Sequence, residues 1–151
     1  MQVVKDKTIV DDTWSYTDDD SELNTGNTTV SLNRWRQAKS EVLAHFDQIG
    51  VRINPADNLN DLGDHQLDKL SLIELEFPDF ADGRLFSLAW LLRSRYQYQG
   101  ELRATGHYMP DQVFYLSRVG VNAFKPEKAE HLPVILKHLD DFTVRYQPSI
   151  N

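Results

Sequence analysis

Apolar and polar positions change their period repeatedly along this chain. The first thirty residues are short strand-like pieces around acidic turns: Val3-Val4, Thr8-Ile9-Val10, Asp18-Asp19-Asp20 and Asn24-Thr25-Gly26-Asn27. This predicts an N-terminal β-hairpin followed by an exposed loop. From Asn33 the spacing turns helical, with Trp35, Ala38, Val42, Phe46 and Ile49 on one face and Gly50 as a C-terminal stop.

Beyond that helix the chain alternates. Val51 to Asn54, Leu72 to Phe77, Glu101 to Thr105 and Val121 to Phe124 read as short strands, with Thr29 to Leu32 a further strand candidate at the start. The segments between them are long enough for helices. One runs from Gly83 to Tyr96 with Asp82 as its N-cap, one follows Pro110, and one runs from Glu127 to Tyr146 with a break or late start at Pro133. The expected fold is α/β in a single domain spanning 1–151, with a hairpin and acidic loop over 1–30 and a βα core over 31–147. Its sheet should be mainly parallel, of about four to five strands with βαβ crossovers, either flavodoxin-like or a partial barrel.

Two strands carry an unusual alternation. Ile73, Leu75 and Phe77 alternate with Glu74 and Glu76, and Leu102 and Ala104 with Glu101, Arg103 and Thr105. One face of the sheet is therefore rich in polar groups, which suits a polar pocket, an open barrel fragment or an oligomer surface. The plain structural alternative pairs Glu74 and Glu76 with Arg103 beneath a loop, because buried charges are nearly always paired.

Charge and composition narrow the function. The formal net charge is -7 over 151 residues, which argues against a broad phosphate-binding surface and so against nucleic acid as a partner. The absence of cysteine removes disulfides, thiolate metal sites, cysteine-held clusters and thiol catalysis. No metal and no tightly held cofactor is expected, and any electron carrier would come from outside. Without an apolar leader or a span of about 20 apolar residues, the expected location is the cytoplasm, with no membrane partner.

The candidate binding residues lie after the strands, where open parallel sheets take their ligands. Asp79, Asp82, Gly83 and Arg84 stand between a strand end and a helix start, where backbone N–H groups and a guanidinium suit a small anion. Asp82 serves equally as a helix cap, and Arg84 as the partner of Asp79. His107, Asp111 and Gln112 occupy the corresponding place after the next strand, and Arg103 would add positive charge beside them. No nucleophile stands at a diagnostic distance from His107, so a surface or structural histidine fits as well. Asp61, Asp64, His65 and Asp68 match no metal signature and read as a solvated acidic helix face. Thr25-Gly26-Asn27-Thr28 looks like a flavin phosphate loop, but β-prone residues follow it where a helix should open.

The run Phe77-Pro78-Asp79-Phe80-Ala81-Asp82-Gly83-Arg84, with Phe86-Ser87, Ala89, Leu91-Leu92-Arg93, Gly100 to Ala104, Gly106, Asp111-Gln112, Arg118, Gly120 and Ala123-Phe124, is similar to the central motif of one bacterial family. Val10 to Trp14, Gly50-Val51-Arg52 and Tyr146-Gln147 fit its outer parts. The family resembled is a domain of unknown function that accompanies sulfite reductase in proteobacterial sulfate assimilation and is often labelled an oxidoreductase of sulfite reduction. Leu85 stands where a second glycine commonly follows the arginine, and Val119 where a cysteine is common, which argues against a shared cysteine-based redox role. The resemblance implies an accessory protein of assimilatory sulfite reduction, binding the reductase, its electron donor or a sulfur oxyanion. The alternatives are an oxidoreductase with a dissociable flavin or nicotinamide, and a structural homodimer without a small-molecule site.

Overall fold

A hairpin opens the chain. β1 (Gln2–Lys5) and β2 (Thr8–Asp11) pair antiparallel, Lys5 opposite Thr8 and Gln2 opposite Asp11. The two residues between them, Asp6 and Lys7, both take positive φ (50° and 65°), the combination that lets a two-residue turn follow the twist of its strands. The computed structural model describes residues 1–22, 26–45, 48–62, 67–78, 83–108 and 110–146.

After the hairpin come β3 (Ser15–Tyr16), β4 (Thr28–Ser31), α1 (Leu32–His45), β5 (Ile49–Ile53), β6 (Leu72–Phe77), α2 (Arg84–Ser94), β7 (Glu101–Gly106), α3 (Val113–Arg118), β8 (Ala123–Pro126) and α4 (Leu132–Tyr146). Among the described residues eight strands form one sheet in the order β2-β1-β8-β7-β6-β5-β4-β3. Pairing is parallel from β3 through β8, and β1 runs antiparallel against β8 through Val4–Phe124 and Lys5–Ala123.

This corrects the expected four to five mainly parallel strands of flavodoxin type: the sheet is mixed, has eight strands and curls into a half-barrel. Strands β4 to β8 lie side by side in chain order, so crossovers of one hand all step the same way and leave their helices on one face. A flavodoxin-type sheet reverses direction at a switch point and covers both faces. Curling follows from the edges. β2 and β3 are the two outermost strands, yet only residues 12–14 join them. A flat sheet of this width would hold its edges about 34 Å apart, whereas that link reaches about 14 Å at full extension.

The core fills the space between the outer face of the sheet and the helices. Val51 and Ile53, Ile73, Leu75 and Phe77, Leu102 and Ala104, and Phe124 point outward from β5 to β8 and pack against Trp35 of α1, Leu85, Ala89 and Leu92 of α2, Leu116 of α3, and Ile135 and Leu139 of α4. Three local expectations move. Ile49 and Gly50 begin β5 rather than ending α1, and Phe46 lies outside the described residues. The acidic stretch forms two separate 3₁₀ turns, Leu59–Leu62 and Leu67–Lys69, with Asp64 and His65 outside the described residues. Gly83, not Asp82, stands at the N-cap of α2. Among the described residues no helix is long and apolar enough to cross a membrane.

Candidate functional site

Every strand that sends apolar residues to the helices sends the alternate ones to the inner face of the curl. Register sets Arg52, Glu74 and Arg103 in one row across β5, β6 and β7, with Ala123 of β8 beyond and Lys5 of β1 paired to it. The next row toward the strand ends holds Glu76, Thr105 and Lys125. Charge on this wall is laid out as alternating partners. Arg52 donates to Glu74 at 3.1 Å and to Glu76 at 3.3 Å, and its guanidinium lies 4.0 Å from the Tyr16 ring centre. Arg103 holds Glu101 with two N–H groups, at 3.0 and 2.7 Å, and Glu101 also meets Lys5 at 3.1 Å.

The remaining member comes from the link between the sheet edges. Asp12 accepts from Arg103 at 3.0 Å, from Lys125 at 2.8 Å and from the Trp14 backbone N–H at 3.0 Å. Its side chain and that of Arg103 are each 2% exposed. Burial alone would raise the Asp12 carboxyl, but Lys125, the Trp14 N–H and Arg103 outweigh it and hold the group below its ordinary range. Burial would likewise lower Arg103, and Glu101 with Asp12 reverses the sign and raises it. The Tyr16 hydroxyl is pushed up by burial, with the nearby Asp19 adding to the effect.

Of the expected rim residues Arg103 belongs to this wall, while Gly83, Arg84, His107, Asp111 and Gln112 stand on other segments. Arg103 sits in the middle of β7 rather than at a strand end, four positions before His107 and so about 13 Å from it along the strand. Its partners are Glu101 and Asp12, while Glu74 and Glu76 go to Arg52. His107 follows β7 at the surface, its Nδ1 2.7 Å from Glu127. Gly83 and Arg84 are exposed at the start of α2, Asp111 is exposed and Gln112 half-buried in a 3₁₀ turn before α3, and Asp79 and Asp82 lie outside the described residues. A groove of about 620 Å³ lined by Leu67, Leu70, Tyr96, Tyr98 and Gly100 opens where β6 and β7 begin, opposite the end where such sheets bind ligands.

Residues 50–151 match the family described as "Bacterial protein of unknown function (DUF934)". The chain belongs to this family. No curated protein matches it. The matched region carries β5 to β8 with α2 to α4, and hence Arg52, Glu74, Glu76, Glu101, Arg103 and Lys125; Lys5, Asp12 and Tyr16 lie before it. Sequence reasoning singled out Arg103 but missed Asp12, Lys125, Arg52 and Lys5 as its companions. Alternation in Val51-Arg52-Ile53 and Ala123-Phe124-Lys125 carried a signal for two of them. Asp12 lay in the Val10 to Trp14 run that fits the outer part of the family motif, a sign of membership that carried no sign of its partners.

Proposed function

We propose that this protein is a cytoplasmic accessory factor of assimilatory sulfite reduction, acting by binding a sulfur oxyanion or the reductase that consumes it, with little or no chemistry of its own. One observation supports binding over catalysis: the charged groups of the inner wall are committed to one another, Lys5, Arg52, Arg103 and Lys125 against Asp12, Glu74, Glu76 and Glu101. A general acid or base must be free to exchange a proton at the reacting atom, and Asp12, held below its ordinary range by Lys125, the Trp14 N–H and Arg103, is not. The pathway is supported by the motif resemblance from Phe77 to Arg84 and through β7.

A strain lacking the protein should grow poorly on sulfate or sulfite and normally on cysteine, with growth restored by the wild-type gene. Cysteine separates the pathway from general sickness. Equal growth on all three sulfur sources would remove the assignment.

A further inference from the structure

We propose that Arg103 and Lys125 form a binding site for a small oxyanion, filled in this structure by the chain's own Asp12 carboxylate, and that the segment from Asp12 to Tyr16 is a strap which the free anion displaces. The three donors on Asp12 are a guanidinium at 3.0 Å, an ammonium at 2.8 Å and a backbone N–H at 3.0 Å. Proteins grip a free carboxylate or oxyanion with the same set. Here the carboxylate arrives on a tether that crosses from one sheet edge to the other.

What remains once Asp12 leaves is the stronger argument. Lys5 and Arg103 flank Ala123 in register, with Lys125 two positions on, and among the described residues Glu101 is then the carboxylate still paired to this group. Arg103, 2% exposed, is costly to leave with one of its two carboxylates gone, and the partly exposed Lys125 and Lys5 add positive charge beside it. Ala123, in register with both Arg103 and Lys5 and two positions before Lys125, brings a methyl group to the face these long cationic side chains share. Thr105, paired in register with Lys125, brings a hydroxyl to the same face.

The strap is lightly held elsewhere. Its own strand β3 has two residues, paired with β4 through Ser15–Thr28 and Tyr16–Thr29, and Asp11, Thr13 and Ser15 are exposed. Beyond the carboxylate it is fixed by the Asp12 N–H on the Met1 carbonyl at 2.9 Å, the Ser15 N–H on the Asn27 carbonyl at 3.2 Å, the Asn27 amide on the Thr13 hydroxyl at 3.2 Å, the Thr28 hydroxyl on the Ser15 carbonyl at 2.9 Å and the Tyr16 ring over Arg52. Segments with so few buried contacts open at low cost. A tethered carboxylate competes at an effective concentration of about millimolar, so a free oxyanion must exceed that level or bind better. The reading rests on the oxyanion-binding function above for its natural ligand, while the site itself stands on this geometry.

Sodium sulfite, sulfate and phosphate, each against sodium chloride at matched ionic strength, should be titrated into purified wild type and Asp12→Asn while thermal unfolding and Trp14 emission are followed. In Asp12→Asn at least one oxyanion should raise the unfolding midpoint saturably, by roughly 5–10 °C at about a hundredfold excess over its Kd. Wild type should require about tenfold more anion and show an emission change that Trp14→Phe abolishes, a readout that stands even should Asp12→Asn fold poorly. Adding Lys125→Met to Asp12→Asn should remove the saturable response. Midpoints that follow ionic strength alone, with no Trp14 signal in wild type, overturn the site, as does an undiminished response in the double variant. A response to phosphate but not to sulfite or sulfate supports the site and overturns its sulfur ligand. A null strain without a sulfur phenotype overturns the pathway alone.

Discussion

Two arginines are drawn into this fold on opposite sides of one sheet, and they are satisfied by opposite chemistry. Arg93, at the end of α2, donates to the backbone carbonyls of Tyr98 at 2.7 Å, Gly100 at 2.8 Å and Gly120 at 3.0 Å. It pins the loops entering β7 and β8, and at Gly120, where φ is 109°, an added Cβ would fall 2.3 Å from the Arg93 Cγ. Burial lowers its pKa, because its hydrogen-bonded acceptors carry no charge to offset desolvation. Arg103 is held by carboxylates from β7 and from the strap, and its pKa rises. One arginine is a staple that only geometry can loosen. The other is a lock that responds to charge.

Removing each arginine should separate these roles. Arg103→Ala leaves Asp12 and Glu101 buried without their shared partner, and breaking a buried pair from one side costs about 3–5 kcal/mol. Lys125 and Lys5 keep the figure toward the low end. Arg93→Ala strips a donor from three carbonyls and should cost about 2–3 kcal/mol, since loop carbonyls near the surface recover part of the loss from water. Denaturant unfolding of the two variants gives the order directly. Arg93→Ala as the more damaging change would show that the charged wall is already wet and that the strap contributes little.

Acid sharpens the contrast next. The Asp12 carboxyl titrates below its ordinary range when folded, so the unfolded chain binds this proton first as pH falls. The stability it contributes is fully present above the unfolded pKa and is lost as pH drops through the folded one, in the window below about pH 5. Asp12→Asn should therefore flatten the acid limb of stability against pH, and Arg93→Ala should leave that limb's slope as in wild type. An unchanged acid limb in Asp12→Asn would mean that other carboxylates carry the acid sensitivity.

Local pattern made one half of this picture legible. Glu74, Glu76, Glu101 and Arg103 announce an inner polar face by strict alternation with Ile73, Leu75, Phe77, Leu102 and Ala104, because the pleat allows no other arrangement. Their pairing was not legible. Glu74 stands between Arg52 on β5 and Arg103 on β7, and what decides between them is Asp12, brought to Arg103 by closure of the sheet edges. That closure depends on β1 meeting β8, strands at opposite ends of the chain, and pairing at such separation leaves no periodic trace. The same distance hid the eight-stranded sheet, since the hairpin reads as a local unit. The rim expectation failed for Arg103 on spacing alone: four strand positions separate it from His107.

The smallest effect belongs to that rim. Gly106 closes β7 with φ 98°, and an added Cβ would lie 2.5 Å from the Phe77 carbonyl oxygen, so the strand exit is shaped by backbone. The His107 N–H reinforces it at 2.7 Å on the same oxygen. The imidazole adds a contact to Glu127 in which both side chains are more than half exposed. Exposed ion pairs are worth little, so His107→Ala should change stability by less than about 0.5 kcal/mol and shift the unfolding midpoint by no more than about 2 °C. A clearly larger loss would show that this pair ties the ends of β7 and β8 together, extending the charge-held region from the strap to the mouth of the half-barrel and leaving Arg93 alone on the uncharged side of the comparison.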